Sequence, residues 1–169
     1  AIAHRIALIP EDRKQQGLIL GMSVKHNTSI VNLDNVCTNR LMNERKEREL
    51  AREMVQKLNI ATPTEEKEVR LLSGGNQQKV VLAKSLTTNP RVLILNGPTV
   101  GVDVGSKMDI SRLIQDVAAQ GVGVLLISDD SMEILTNCKR ILMMKNGGIS
   151  GEYCGDDFTD ASLYQTLVN

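Results

Sequence analysis

The sequence predicts an α/β domain on a mainly parallel sheet, and three observations carry that reading. Three short runs, Arg5 to Ile9, Arg91 to Leu95 and Val122 to Ile127, are aliphatic apart from the arginine that opens the first two and read as strands, the latter two as buried strands of a parallel sheet. Longer stretches with helical periodicity separate them, as parallel strands require of their crossovers. Asn146-Gly147, set between two further apolar segments, is a hairpin signal near the end of the chain. With 169 residues the chain is long enough for a single core.

Taken in order, Arg5 to Ile9 closes at Pro10, a residue suited to the end of a strand. Glu11 to Gly17 is charged and amide-rich with a glycine stop, which reads as a solvated turn. Leu18 to Met22 is apolar, and Ser23 is placed to cap a short helix through Val24, Lys25 and Asn27. Residues 32–42 carry no periodic signal and read as loop. From Asn43 onward, Leu50, Ala51, Met54, Val55 and Leu58 recur at helical spacing. Glu44, Arg45, Lys46, Glu47, Arg48 and Arg52 lie largely off that stripe and read as a solvated face. Thr62-Pro63-Thr64 breaks the pattern.

The next stretch is Leu72-Ser73-Gly74-Gly75-Asn76-Gln77-Gln78-Lys79, opening a helix through Val80, Ala83 and Leu86 that stops near Asn89, ahead of Pro90. Physically it is a phosphate cup. The first amides of a helix lack intrahelical acceptors and the dipole there favours an anion. Glycine lets a ligand come close to the backbone, and the Ser73 hydroxyl is available to cap or to donate. A lone Ser-Gly-Gly is also an ordinary helix start. After it, Arg91 to Leu95 delivers Asn96-Gly97-Pro98-Thr99, a turn sequence at a strand end. Gly101-Val102-Asp103 precedes a helix with Ile110, Leu113, Ile114 and Val117 on one face and Gly121 at its end. Val122 to Ile127 is followed by Ser128-Asp129-Asp130-Ser131, capping a short helix with Met132 and Leu135, in which Asp129 is assigned the capping role. Arg140 to Met144 reads as a further strand, Ile149 to Tyr153 as its hairpin partner, and Thr159 as the cap of a last helix with Leu163, Leu167 and Val168.

Residues 72–79 resemble the signature motif of ATP-binding cassette (ABC) ATPases, in the NQQK form typical of simple-sugar importers. Pro10-Glu11-Asp12-Arg13-Lys14 is similar to the PEDRK string of the second nucleotide-binding domain of those importers, with Glu11 at the Q-loop glutamine position. Gly101-Val102-Asp103 resembles the D-loop. The resemblance implies a partial P-loop NTPase (ABC ATPase) fold with a helical signature subdomain over residues 22–88 and a C-terminal hairpin. It also implies ATP and Mg²⁺ as ligands. Ser73, Gly74, Gly75, Asn76, Gln77, Glu11 and Asp103 would be the nucleotide-binding positions, and the partners would be a second nucleotide-binding domain and the transporter's membrane subunits. Such a protein works in the cytoplasm, peripheral to the inner face of the cell membrane.

The departures from the family pattern are as informative. Asn96 stands where an aspartate holds the metal, Gly97 where a glutamate orients water, and Asp129 where a switch histidine meets the γ-phosphate. No catalytic position is intact. None of the 13 glycines opens a G-x-x-x-x-G-K-[ST] string, so the sequence holds no P-loop and reads as a truncated cassette over residues 1–169. Two functions compete. The chain contributes its signature in trans to ATP held by another cassette, or it is a non-catalytic remnant or partner-binding module. A DNA-repair or translation cassette fits the PEDRK and NQQK strings less well.

Composition bounds the rest. Twenty basic and twenty acidic residues cancel and only 2% of residues are aromatic, which argues against nucleic acid as a partner. No apolar run reaches the ~18 residues of a membrane span, and no leader is evident at Ala1, so the chain reads as soluble. Cys37, Cys138 and Cys154 lack metal-site spacing and read as free thiols, and His4 and His26 are isolated, so no metal site is expected.

Overall fold

The computed structural model describes residues 1–154, which divide into two compact units, residues 1–127 and a unit beginning at Ser128. The expected helix after Thr159 lies outside the described residues.

The first unit holds the sheet. Strand β1 (Ile6–Ile9) starts one residue later than the sequence suggests, because Arg5 takes a left-handed φ of 57° to close the 3-10 turn Ile2–His4. A π-type turn, Arg13–Gly17, follows, with Asp12 accepting from the Lys14 and Gln15 amides. Helix α1 (Val24–Ser29) is capped as expected by Ser23, which accepts from the His26 amide. Where the sequence showed only loop, Leu33–Val36 is a 3-10 turn, and β2 (Cys37–Thr38) pairs with β3 (Leu41–Met42) around Asn39 and Arg40, both left-handed. Helix α2 (Glu44–Lys57) buries Ala51 and Met54, and its C-cap residue Leu58 is buried with them, as the stripe requires. It also buries Glu47, which accepts a hydrogen bond of 2.6 Å from the Ser29 hydroxyl of α1; the reading of Glu47 as solvated is therefore corrected.

Helix α3 (Gly74–Leu86) packs against α1, β1 and helix α4 (Val104–Ala119). Strand β4 (Val92–Asn96) lies between β1 and β5 (Gly123–Ile127), all three parallel. Alternation decides what each sheet face does. Ala7, Ile9, Leu93 and Leu95 point into a core shared with Val80 and Val81 of α3 and Ile110, Ile114 and Val117 of α4. The opposite face aligns Leu8, Ile94 and Leu125 across the three strands. On that face Leu8 is 59% exposed and Leu125 52%.

The second unit contains α5 (Ser131–Asn137) and a hairpin of β6 (Arg140–Lys145) and β7 (Gly148–Cys154). The hairpin turns at Asn146 and Gly147, both with positive φ, as the dipeptide predicts. Among the described residues β6 pairs with β7. Ile141 and Met143 pack against Ile134, Leu135, Cys138 and Tyr153. The cap of α5 is Asp130, which accepts from the Met132 and Glu133 amides. Capping was expected of Asp129; the next residue performs it, because only Asp130 immediately precedes the helix.

Candidate functional site

The site is assembled from three loops that meet at the first turn of α3. Ser73 caps that helix, is exposed, and accepts from the Asn76 backbone amide at 3.4 Å and from the Asn76 Nδ2 at 2.9 Å. Its hydroxyl proton is left for an acceptor. The amides of Gly74 and Gly75 precede the first intrahelical acceptor and point along the positive end of a 13-residue helix. Asn76 and Gln77 share this turn but are committed within the chain. Asn76 Oδ1 accepts from the Ala61 amide at 2.7 Å, and the buried Gln77 donates to the Val69 and Leu72 carbonyls at 3.3 and 3.2 Å.

The two signature glycines are required by packing inside this chain. An ideal Cβ on Gly75 would lie 2.1 Å from Ser106 Oγ and 2.5 Å from its Cβ. One on Gly74 would lie 2.9 Å from Arg13 Nη2 and 3.2 Å from the Gly101 carbonyl oxygen. The sequence reading gave these glycines to the approach of a ligand. The structure gives their Cβ space to residues 101–106 and to Arg13, leaving the amides for a ligand.

The second loop is residues 97–103. Gly97 has φ of 55°, its amide donates to the Ile127 carbonyl at 2.9 Å, and its carbonyl accepts from Val100 at 3.1 Å. Asp103 caps α4, accepting from the Ser106 amide at 3.0 Å and from the Ser106 hydroxyl at 2.7 Å. Those bonds, the amide first, hold its carboxyl below the ordinary aspartate range. Asp103 and Ser73 therefore sit on helices locked to each other through Gly75 and Ser106.

The third loop is residues 10–17. Arg13 was read as part of a solvated turn, yet its side chain is buried and donates from Nη1 to the Val100 carbonyl at 2.7 Å and from Nη2 to the Gly101 carbonyl at 2.9 Å. Nothing in the local sequence signals this, since the acceptors lie 87 and 88 residues away. Beside it opens a cleft of about 470 Å³ whose lining includes Glu11, Arg13, Lys14, Asn96 and Gly101. Asn96 and Glu11 are thus brought together, and Glu11 Cγ would stand 3.1 Å from a Cβ on Gly97.

This donor set suits an anion better than a metal. The open α3 amides and the Ser73 hydroxyl fit a phosphate, and Lys14 stands at the neighbouring cleft. For Mg²⁺, β4 offers the neutral amide of Asn96 in place of a carboxylate, and no group of three or more His, Cys, Asp or Glu is poised for a metal among the described residues. Asp129 belongs to the second unit and is exposed. All three cysteines are free, and no described helix is long and apolar enough to cross a membrane.

Comparison with known proteins adds four findings. The family profile described as ABC transporter matches residues 2–100. Over 163 residues the chain is 45% identical to the xylose import ATP-binding protein XylG of Moorella thermoacetica, covering 96% of this chain and 32% of that protein. The fold is similar to that of the ATP-binding cassette MJ1267, with a TM-score of 0.80 at 20% identity over 99% of this chain and 70% of that one. It is also similar to that of the cassette MJ0796 solved as a dimer bound to ADP and Pi, with a TM-score of 0.75 at 22% identity over 91% of this chain and 64% of that one.

Proposed function

The chain belongs to the ABC transporter family, and on that premise we propose that it is an ATP-binding component of a sugar importer that contributes its signature in trans to ATP seated on a partner cassette. The observation that carries this is the first turn of α3: an exposed Ser73, two uncommitted amides, and glycines whose missing Cβ atoms let residues 101–106 brace the helix. A γ-phosphate arriving from a partner would meet donors on the positive end of a helix, arranged before it binds. Similarity to a xylose import protein supports a sugar as cargo. Membrane subunits are then a second class of partner, at the inner face of the cell membrane. ATP and Mg²⁺ would be held mainly by the partner, since Asn96 and Gly97 supply neither the charge nor the base.

A second reading, a partner-binding module without catalytic turnover, is favoured by the Gly97 turn, whose left-handed backbone and close Val100 and Glu11 side chains disfavour a glutamate there.

The test is analytical ultracentrifugation of this chain with a hydrolysis-deficient cassette that has a P-loop, with and without ATP. Ser73 is exposed, so Ser73→Arg is expected to cost about 1 kcal/mol of stability through the lost cap. It should nevertheless abolish ATP-dependent association through bulk and a cation at the positive helix end. If the unmodified chain never associates in ATP, or the variant associates equally well, the in-trans role is wrong and the module reading replaces it.

A further inference from the structure

Arg13 is 8% exposed, its guanidinium meets two backbone carbonyls and no carboxylate among the described residues, and its Nε is buried without an acceptor. As a contribution to folding this is poor chemistry, because a buried cation with an unmet donor is worse than a well-packed apolar side chain. What a guanidinium does supply is a planar fork that fixes two acceptors at once. Here those acceptors are the successive carbonyls of Val100 and Gly101.

The other end of the fork is fixed as well. Gly17 lies so near α3 that a Cβ would stand 3.1 Å from Val81 Cγ2, and Lys84 of α3 donates to the Gly17 carbonyl. Asp12 caps the intervening turn through the Lys14 and Gln15 amides. Arg13 is therefore a strut, anchored through residues 13–17 on the signature helix and holding residues 100–101 with its head. It passes beside Gly74, the position where a side chain would block it.

We infer that Arg13 is a positioning residue that sets the 97–103 turn against the first turn of the signature helix, so that pairing with a partner cassette in ATP depends on the fork and not on charge alone. The consequence for pairing rests on the in-trans reading above. The positioning itself is measurable without a partner.

Two variants of the full chain separate these levels. Arg13→Lys keeps the charge and loses the fork, and Arg13→Met fills a similar volume without charge. Hydrogen exchange without nucleotide should show the amides of residues 100–103 exchanging about tenfold faster in both variants while those of α2 are unchanged. In the association assay, the ATP concentration giving half-maximal pairing should rise about tenfold or more in both, with Arg13→Lys giving no rescue. Normal pairing and exchange in Arg13→Lys would overturn the inference in favour of charge alone. Equal acceleration in α2 would overturn it in favour of general destabilisation. If the unmodified chain does not pair, the in-trans reading has failed, and the exchange result still decides the positioning role.

Discussion

Single residues set what the turn after β4 can hold, and position 97 is the clearest case. Gly97 has φ of 55°, and a Cβ there would meet Val100 Cγ2 at 2.9 Å and Glu11 Cγ at 3.1 Å. Strain and crowding together predict that Gly97→Ala destabilises the fold by about 1–3 kcal/mol in urea denaturation, and Gly97→Glu by at least as much. For the same reason Asn96→Asp with Gly97→Glu should release no phosphate above a blank, since the turn must be rebuilt before a carboxylate can be aimed. An unchanged unfolding midpoint for Gly97→Ala would refute the strain. Asp103 gives the pH dependence at this scale. Its lowered carboxyl makes the α4 cap fully effective above the ordinary aspartate range, and the cap is lost as pH falls through the lowered value. The Ser106 amide shift, followed by NMR, should report a midpoint below that of an unperturbed aspartate. A midpoint at or above the ordinary value would contradict the geometry.

At the scale of elements, what the sequence disclosed and what it hid have separate causes. The α2 stripe and the Ser23 and Ser73 caps were legible because they depend on neighbours three or four residues away. The β2–β3 hairpin was not, since its strands have two residues each and its turn uses Asn39 and Arg40, where Arg40 at φ of 65° carries no turn signal. Glu47 and Arg13 were read as solvated because charge in a polar run suggests water, whereas Ser29 and the Val100 and Gly101 carbonyls bury them across long separations. The close approach of α3 to α4 was equally hidden, for the motif that displays Gly75 to a ligand also presses it on Ser106. Gly75→Ala should therefore cost about 1–3 kcal/mol. Adding Ser106→Gly should recover part of that loss, a coupling that a double-mutant cycle measures directly. Gly21 is the control: it has nothing within 4 Å of an ideal Cβ and no positive φ, so Gly21→Ala should be neutral or stabilising by about 0.4–1 kcal/mol. Equal losses at Gly75 and Gly21 would mean that helix contact is not the reason for the signature glycine.

At the scale of the whole unit formed by residues 1–127, the described sheet is finished on one face only. Its strands, of which β4 and β5 read as buried from their aliphatic runs, bury Ala7, Ile9, Leu93 and Leu95, while Leu8, Leu125 and Ile127 on the other face remain 59, 52 and 48% exposed. A parallel sheet is stable in water when both faces are covered, and a contiguous apolar patch invites association. Within residues 1–127 the sequence's demand for a second cover therefore exceeds what the packed residues supply. The chain alone is thus expected to bind an apolar dye such as ANS in its native state and to self-associate with rising concentration. Leu8→Lys with Leu125→Lys should suppress both, because those side chains stand two strands apart on the same open face with Ile94 between them. Stability should fall little, as neither side chain is in the core. Dye binding that persists in the double variant, or a large loss of its unfolding free energy, would show that this face is already covered in solution and that the exposed patch lies elsewhere.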